Sequence, residues 1–118
     1  MQRDIPLYLQ VKQRLEDSIL SGKLALGQEI PSIRSLAVAF HVNPNTIQRT
    51  LSLLQEEKLL CLSSRRRFFV TRDALWIRQC KERKAKSLVL QLRASLSALG
   101  YEWNEIPDAI IAAAGVTG

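Results

Sequence analysis

Residues 42–57 read VNPNTIQRTLSLLQEE, and this stretch decides how the chain folds. It opens with Asn43-Pro44. An asparagine side chain accepts from the unpaired N–H groups of a helix's first turn, and proline at the first helical position forfeits no hydrogen bond. Ile47, Leu51 and Leu54 follow at helical spacing and form one apolar stripe. At about 100° per residue, Asn45, Arg49 and Ser52 face the other way, with Gln48 on the flank. Amides and guanidinium groups grip base edges at two points at once, so this front can read DNA. The same pattern also suits an ordinary surface helix, so the neighbouring stretches must decide.

Immediately upstream, Pro31-Ser32 starts a helix over about residues 32–41, with Ser32 as its N-cap. Ile33, Leu36, Ala37 and Phe40 match the spacing of a buried face, and Arg34 points away from it. His41-Val42 is a tight link, with His41 read as a turn residue. Two helices so joined form a helix-turn-helix, whose second helix lies in the major groove. Further upstream, Ile5-Pro6-Leu7 leads into a helix over about 7–21. Leu7, Val11, Leu15 and Ile19 define its buried face, and Ser21-Gly22 ends it. Residues 23–30 are a short connector with a turn at Gly27.

Downstream, Leu59–Ser63 and Phe68–Arg72 are short apolar-rich segments around Ser64-Arg65-Arg66-Arg67. They read as a β-hairpin, the wing of a winged helix. The turn has no Gly, Asn or Pro, so a four- or five-residue loop fits better than a two-residue one. Arginines at its tip can reach phosphates or a narrow minor groove. From Asp73, which can cap it, a long helix runs to about Leu99 and ends at Gly100. Its first half is basic (Arg78, Lys81, Arg83, Lys84, Lys86) and its second apolar (Leu88, Val89, Leu92, Leu96, Leu99). A last helix over about 104–114 carries Ile106, Ile110 and Ala113 on one face, with Pro107 in its first turn. Two helices cannot bury that much apolar surface between themselves. They fold back on the first part or pair with another chain, and pairing is the expectation. Leu88, Leu92, Leu96, Leu99, Ile106 and Ile110 are the expected dimerisation residues.

Composition narrows the function. The chain has 118 residues, 47% of them hydrophobic, which excludes general disorder. No apolar run approaches the roughly 20 residues that span a bilayer, and MQRDIPLYLQ lacks a signal-peptide core, so no membrane partner and a cytoplasmic protein are expected. Net charge is +6, and residues 58–86 hold ten of the seventeen Lys and Arg against only Asp73 and Glu82. That concentration suits a polyanion, most simply double-stranded DNA. One histidine and two cysteines, Cys61 and Cys80, are too few and wrongly spaced for a zinc site, and partly buried reduced thiols are expected. No cofactor motif, phosphate loop or catalytic set is present, so no enzyme is expected. Glu56-Glu57 read as solvated helix-end residues, and Trp76 and Trp103 as packing residues rather than the lining of a site for an unknown small-molecule effector.

The residues also resemble a known family. Pro6-Leu7-Tyr8 with Gln10, Ser21-Gly22-Lys23-Leu24, Gly27, residues 31–37 (PSIRSLA) and residues 42–49 (VNPNTIQR) together resemble the GntR family of bacterial transcriptional regulators. The Asn-Pro-Asn-Thr form and the short C-terminal part are similar to its YtrA-type subfamily. The resemblance implies a winged helix-turn-helix, a homodimer through the two C-terminal helices, and operator binding, usually as a repressor and often of a transporter operon. It implies DNA contacts from Arg34 to a phosphate, from Asn43, Asn45, Thr46, Gln48 and Arg49, and from the wing tip, Ser64, Arg65, Arg66 and Arg67. It also marks a departure. The family's wing has glycines where Arg65 and Arg67 stand, and a glycine where Lys58 stands.

The expectation is a mainly α fold with a small β-hairpin. Residues 1–72 form a winged helix-turn-helix, and residues 73–118 a two-helix dimerisation or effector region. The alternative use of such a domain is as a protein–protein interaction module for an acidic partner. The amide and guanidinium front of residues 45–49 argues against it.

Overall fold

The computed structural model describes residues 5–115. The outermost residues of both expected regions, 1–4 and 116–118, lie outside the described residues. The chain divides into two compact units, Met1–Cys80 and Lys81–Gly118.

The first unit is a winged helix-turn-helix. Helices α1 (Leu7–Leu20), α2 (Ile33–Phe40) and α3 (Pro44–Glu56) precede a hairpin of β1 (Leu60–Leu62) and β2 (Phe68–Val70). A further helix, α4 (Ala74–Ala98), begins here. α3 is the centre of the core: Ile47, Leu51 and Leu54 are 0–1% exposed. Val11, Leu15 and Ile19 of α1 and Leu36 and Ala37 of α2 are buried in the same cluster. Leu7, expected on the buried face of α1, is instead 52% exposed. It stands on the first turn, where Phe40 and Val42 offer only partial cover, and Leu20 completes the buried face at the other end.

The two helices of the motif close in the same way. His41 is left-handed at φ 56, and the N–H groups of His41 and Val42 return to the carbonyls of Val38 (3.3 Å) and Ala37 (3.0 Å). After α3, Lys58 is left-handed at φ 63, and Lys58 and Leu59 donate to Gln55 (2.9 Å) and Leu54 (3.0 Å). This paired return is a Schellman closure, and the buried Leu54 and Leu59 supply its apolar contact. The glycine that the family resemblance places at residue 58 therefore answers a real backbone demand, met here by lysine.

The hairpin is antiparallel with Leu60 opposite Val70 and Leu62 opposite Phe68. The connector holds a third short strand position that its sequence did not signal. Glu29 bridges Phe69, Ile30 donates to Phe68, and Val70 donates to Gln28. Gly27, at φ 76, donates to Val70, and a Cβ there would meet the Arg72 guanidinium at 3.0 Å. Cys61 is exposed rather than partly buried, because alternation along β1 turns Leu60 inward and Cys61 outward. Cys80 is half-buried and packed against the core, and no disulfide joins it to Cys61.

A hydrogen bond and an ion pair are among the long-range contacts that tie α1 to α3 and its end. Thr50, 0% exposed, donates its hydroxyl to the Tyr8 carbonyl at 3.0 Å. Lys12 Nζ lies 2.8 Å from Glu57 Oε2, so Glu57 is an ion-pair partner rather than a merely solvated helix end. Asp73 caps α4 by accepting from the Trp76 N–H at 3.0 Å. Trp76 packs against the core and donates its indole N–H to the Glu57 carbonyl, also at 3.0 Å.

The second unit holds the rest of α4, a short turn of 3₁₀ helix at Trp103–Glu105 and α5 (Ile106–Ala114). Gly100, at φ 95, ends α4, and Tyr101 donates back to Leu96. Glu102 and Glu105 form a reciprocal capping box before α5, and Pro107 falls in its first turn. Ile106 is buried, and Trp103 carries the Arg93 guanidinium 4.2 Å from its ring centroid. None of the 25 residues of α4 is buried. Among the described residues, no helix is long and apolar enough to cross a membrane.

Candidate nucleic-acid interface

The candidate recognition face is built by the capping of α3. The Asn43 side chain accepts from the Asn45 N–H at 2.8 Å, and Pro44 occupies the first turn. This fixes the start of the helix, so the polar positions that follow have defined directions. Asn45, Gln48 and Arg49 are exposed, and Thr46 and Ser52 are half-buried. Gln48 Nε2 donates to Ser52 Oγ at 3.3 Å. The Arg49 guanidinium carbon lies 3.7 Å from the centroid of the Tyr8 ring. Arg34 is exposed on α2, one position after its first residue.

The wing is held by Ser63. Its N–H donates to the Arg67 carbonyl (2.8 Å), its carbonyl accepts from Arg66 (3.0 Å), and its hydroxyl accepts from the Arg67 N–H (3.1 Å). Five residues, 63–67, thus connect the strands, in keeping with the longer loop that the absence of turn residues predicts. The left-handed residue is Arg66, at φ 61, not Arg65 or Arg67. Ser64, Arg65, Arg66 and Arg67 are all exposed, and Arg67 Nη1 lies 3.6 Å from Glu29 Oε1.

Every candidate DNA contact, from Arg34 to Arg67, lies in the first unit. The candidate dimer residues lie in the second. Of these, Leu88, Leu92, Leu99 and Ile110 are exposed, Leu96 is half-buried and Ile106 is buried within its own chain. Sequence reading missed Tyr8, Glu29, Thr50 and Ser63 as structural partners of the interface. Each acts through a contact that only the folded chain brings together. Tyr8 stands 42 residues before Thr50 and carried no local signal for it.

Comparison with known proteins agrees with this geometry. The family model described as bacterial regulatory proteins, GntR family, matches residues 7–70. The chain is 29% identical to the Bacillus subtilis HTH-type transcriptional regulator YhcF, over 89% of this chain and 87% of that one. It is 33% identical to the Bacillus subtilis HTH-type transcriptional repressor YtrA over 55 residues, 47% of this chain and 42% of that one. A 42% identical match over 57 residues, 48% of this chain, spans only 12% of the length of Bacillus subtilis YisV. Among solved structures, a GntR family transcriptional regulator from Listeria monocytogenes superposes with a TM-score of 0.85 at 28% identity, covering 90% of this chain and 93% of that one. The fold, the polar recognition helix and the extent of the family match lead to one conclusion: the chain belongs to the GntR family of bacterial transcriptional regulators, with a YtrA-type likeness.

Proposed function

We propose that this protein is a sequence-specific repressor that binds a palindromic operator as a homodimer in the bacterial cytoplasm. One observation carries the reading. The apolar stripe of α3 is wholly buried, while Asn45, Gln48 and Arg49 on its other side are exposed. The helix is thereby held rigidly by its back, with amide and guanidinium groups presented at its N-terminal half, as base reading in the major groove requires. Asn43, Thr46, Arg34 and the wing residues 64–67 complete the proposed contact surface. The division of labour follows the chain, with DNA binding in residues 1–72 and dimerisation in residues 73–118. The repressor role is supported by the likeness to YtrA. Control of a transporter operon is what the subfamily resemblance implies. A small-molecule effector would have to act through the C-terminal helices or the dimer they form.

The test is a fluorescence anisotropy titration of the full chain on the duplex upstream of its own gene, against a shuffled duplex at physiological salt. Specific binding should exceed non-specific binding by at least about a thousandfold. Equal affinity for the two duplexes would sink the reading.

A further inference from the structure

The contact between Tyr8 and Arg49 brings a residue outside the proposed DNA-contacting surface against one within it, and it joins two helices far apart in sequence. The guanidinium lies over the ring at 3.7 Å. A guanidinium stacked on a ring at this distance uses its π face and leaves its donors alone, because all five N–H groups lie in the guanidinium plane. Arg49 makes no ion pair among the described residues. Its in-plane edge therefore remains available, whereas the amide of its neighbour Gln48 is turned to Ser52.

The backbone that carries the ring is itself fixed. The Tyr8 carbonyl accepts from Thr50, the residue after Arg49 and one with no solvent exposure. The start of α1 is held by the Leu9 and Gln10 N–H groups on the Pro6 carbonyl and by Gln10 Nε2 on the Ile5 carbonyl at 2.8 Å. Tyr8 is thus a platform anchored to the back of the helix whose front carries Arg49.

We propose that Tyr8 is a positioning residue for base readout: it holds the Arg49 guanidinium so that its two-donor edge meets O6 and N7 of a guanine in the major groove. An arginine ordered before binding loses less side-chain freedom when it docks, and guanine is the base whose paired acceptors match that edge. The proposal rests on the DNA-reading function above, and the experiment separates the two. The preferred site of the full chain is first selected from a random duplex library. The wild type, Tyr8→Ala, Tyr8→Phe and Arg49→Ala are then titrated on that site and on its single base-pair variants.

Arg49→Ala should erase the preference at one G·C pair in each half-site. Tyr8→Ala should weaken the preference at that same pair by about tenfold and spare the other positions, and Tyr8→Phe should retain it. In the free protein, the ring current should move the Arg49 side-chain Nε–H resonance upfield in wild type and in Tyr8→Phe. This reads the contact even if Tyr8→Ala folds poorly. Uniform weakening by Tyr8→Ala across all duplexes, or an unshifted Arg49 resonance, overturns the positioning role and leaves the regulator reading standing. A wild-type chain that selects no sequence overturns both.

Discussion

At the scale of single residues, three positions hold a backbone conformation that favours glycine without having one, and His41 closes α2 at φ 56. Lys58 closes α3 at φ 63, and Arg66 turns the wing at φ 61. A side chain in the left-handed region crowds its own carbonyl, while glycine does not, although glycine loses more freedom on folding. The balance favours Lys58→Gly by about 0.5–1 kcal/mol, since both closing hydrogen bonds and the Leu54–Leu59 contact are kept. A urea titration should show a higher midpoint with an unchanged slope. A lower midpoint would mean that the lysine side chain contributes packing that outweighs the strain. The demand at residue 58 was signalled by the family resemblance, which places a glycine there. The demand at Arg66 was not. The resemblance puts glycines at 65 and 67, and only the Ser63–Arg67 pairing moves the left-handed residue between them.

Among the elements, the helices were the most legible. Three of them carry a cap just before their first residues: Ser32 for α2, Asn43 for α3 and Asp73 for α4 all cap as their sequence context requires. The short strand position at residues 28–30 was illegible for the converse reason. Gln28-Glu29-Ile30 has no strand signature of its own, and its pairing with β2 is decided by where the chain returns. The same holds for the proposed recognition surface. Its front was readable from residues 45–49, but its support by Tyr8, Thr50 and the Lys12–Glu57 ion pair was not, since these contacts arise only when α1 packs on α3. The wing has its own test. Its three exposed arginines should act on phosphate, which carries no sequence information. Replacing Arg65, Arg66 and Arg67 together with alanine should weaken binding to all duplexes alike. It should also reduce the slope of log affinity against log salt by about one for each phosphate that is no longer neutralised. An unchanged slope would take the wing off the DNA. Arg67, already near Glu29, should contribute least of the three when substituted singly.

For the whole molecule, the open question is what covers the apolar surface of the second unit. α4 buries none of its residues in a single chain, and Leu88, Val89, Leu90 and Leu92 are each about half exposed, with Leu99 at 75%. Leu90 and Ile111 extend the apolar surface beyond the residues singled out from the sequence. Contiguous apolar surface on an exposed helix marks an interface. A second copy is the economical partner for the proposed recognition helix, because the proposed palindromic operator would offer two half-sites about 34 Å apart. Within the arm the six expected residues then divide by mechanism. Leu92 faces outward and should act on association, whereas Ile106 is buried in its own chain and should act on the stability of the C-terminal unit. Leu92→Glu places a charge in the proposed interface at a position where a lone chain loses nothing. It should yield a folded monomer by light scattering, with unaltered helix content, and operator affinity should fall because each chain then holds only one half-site. Ile106→Ala should leave the mass of the assembly unchanged and lower thermal stability, by about 2–5 kcal/mol if the cavity does not collapse. Persistent dimers for Leu92→Glu would move the interface elsewhere, and monomers for Ile106→Ala would show that the buried isoleucine shapes the interface from within.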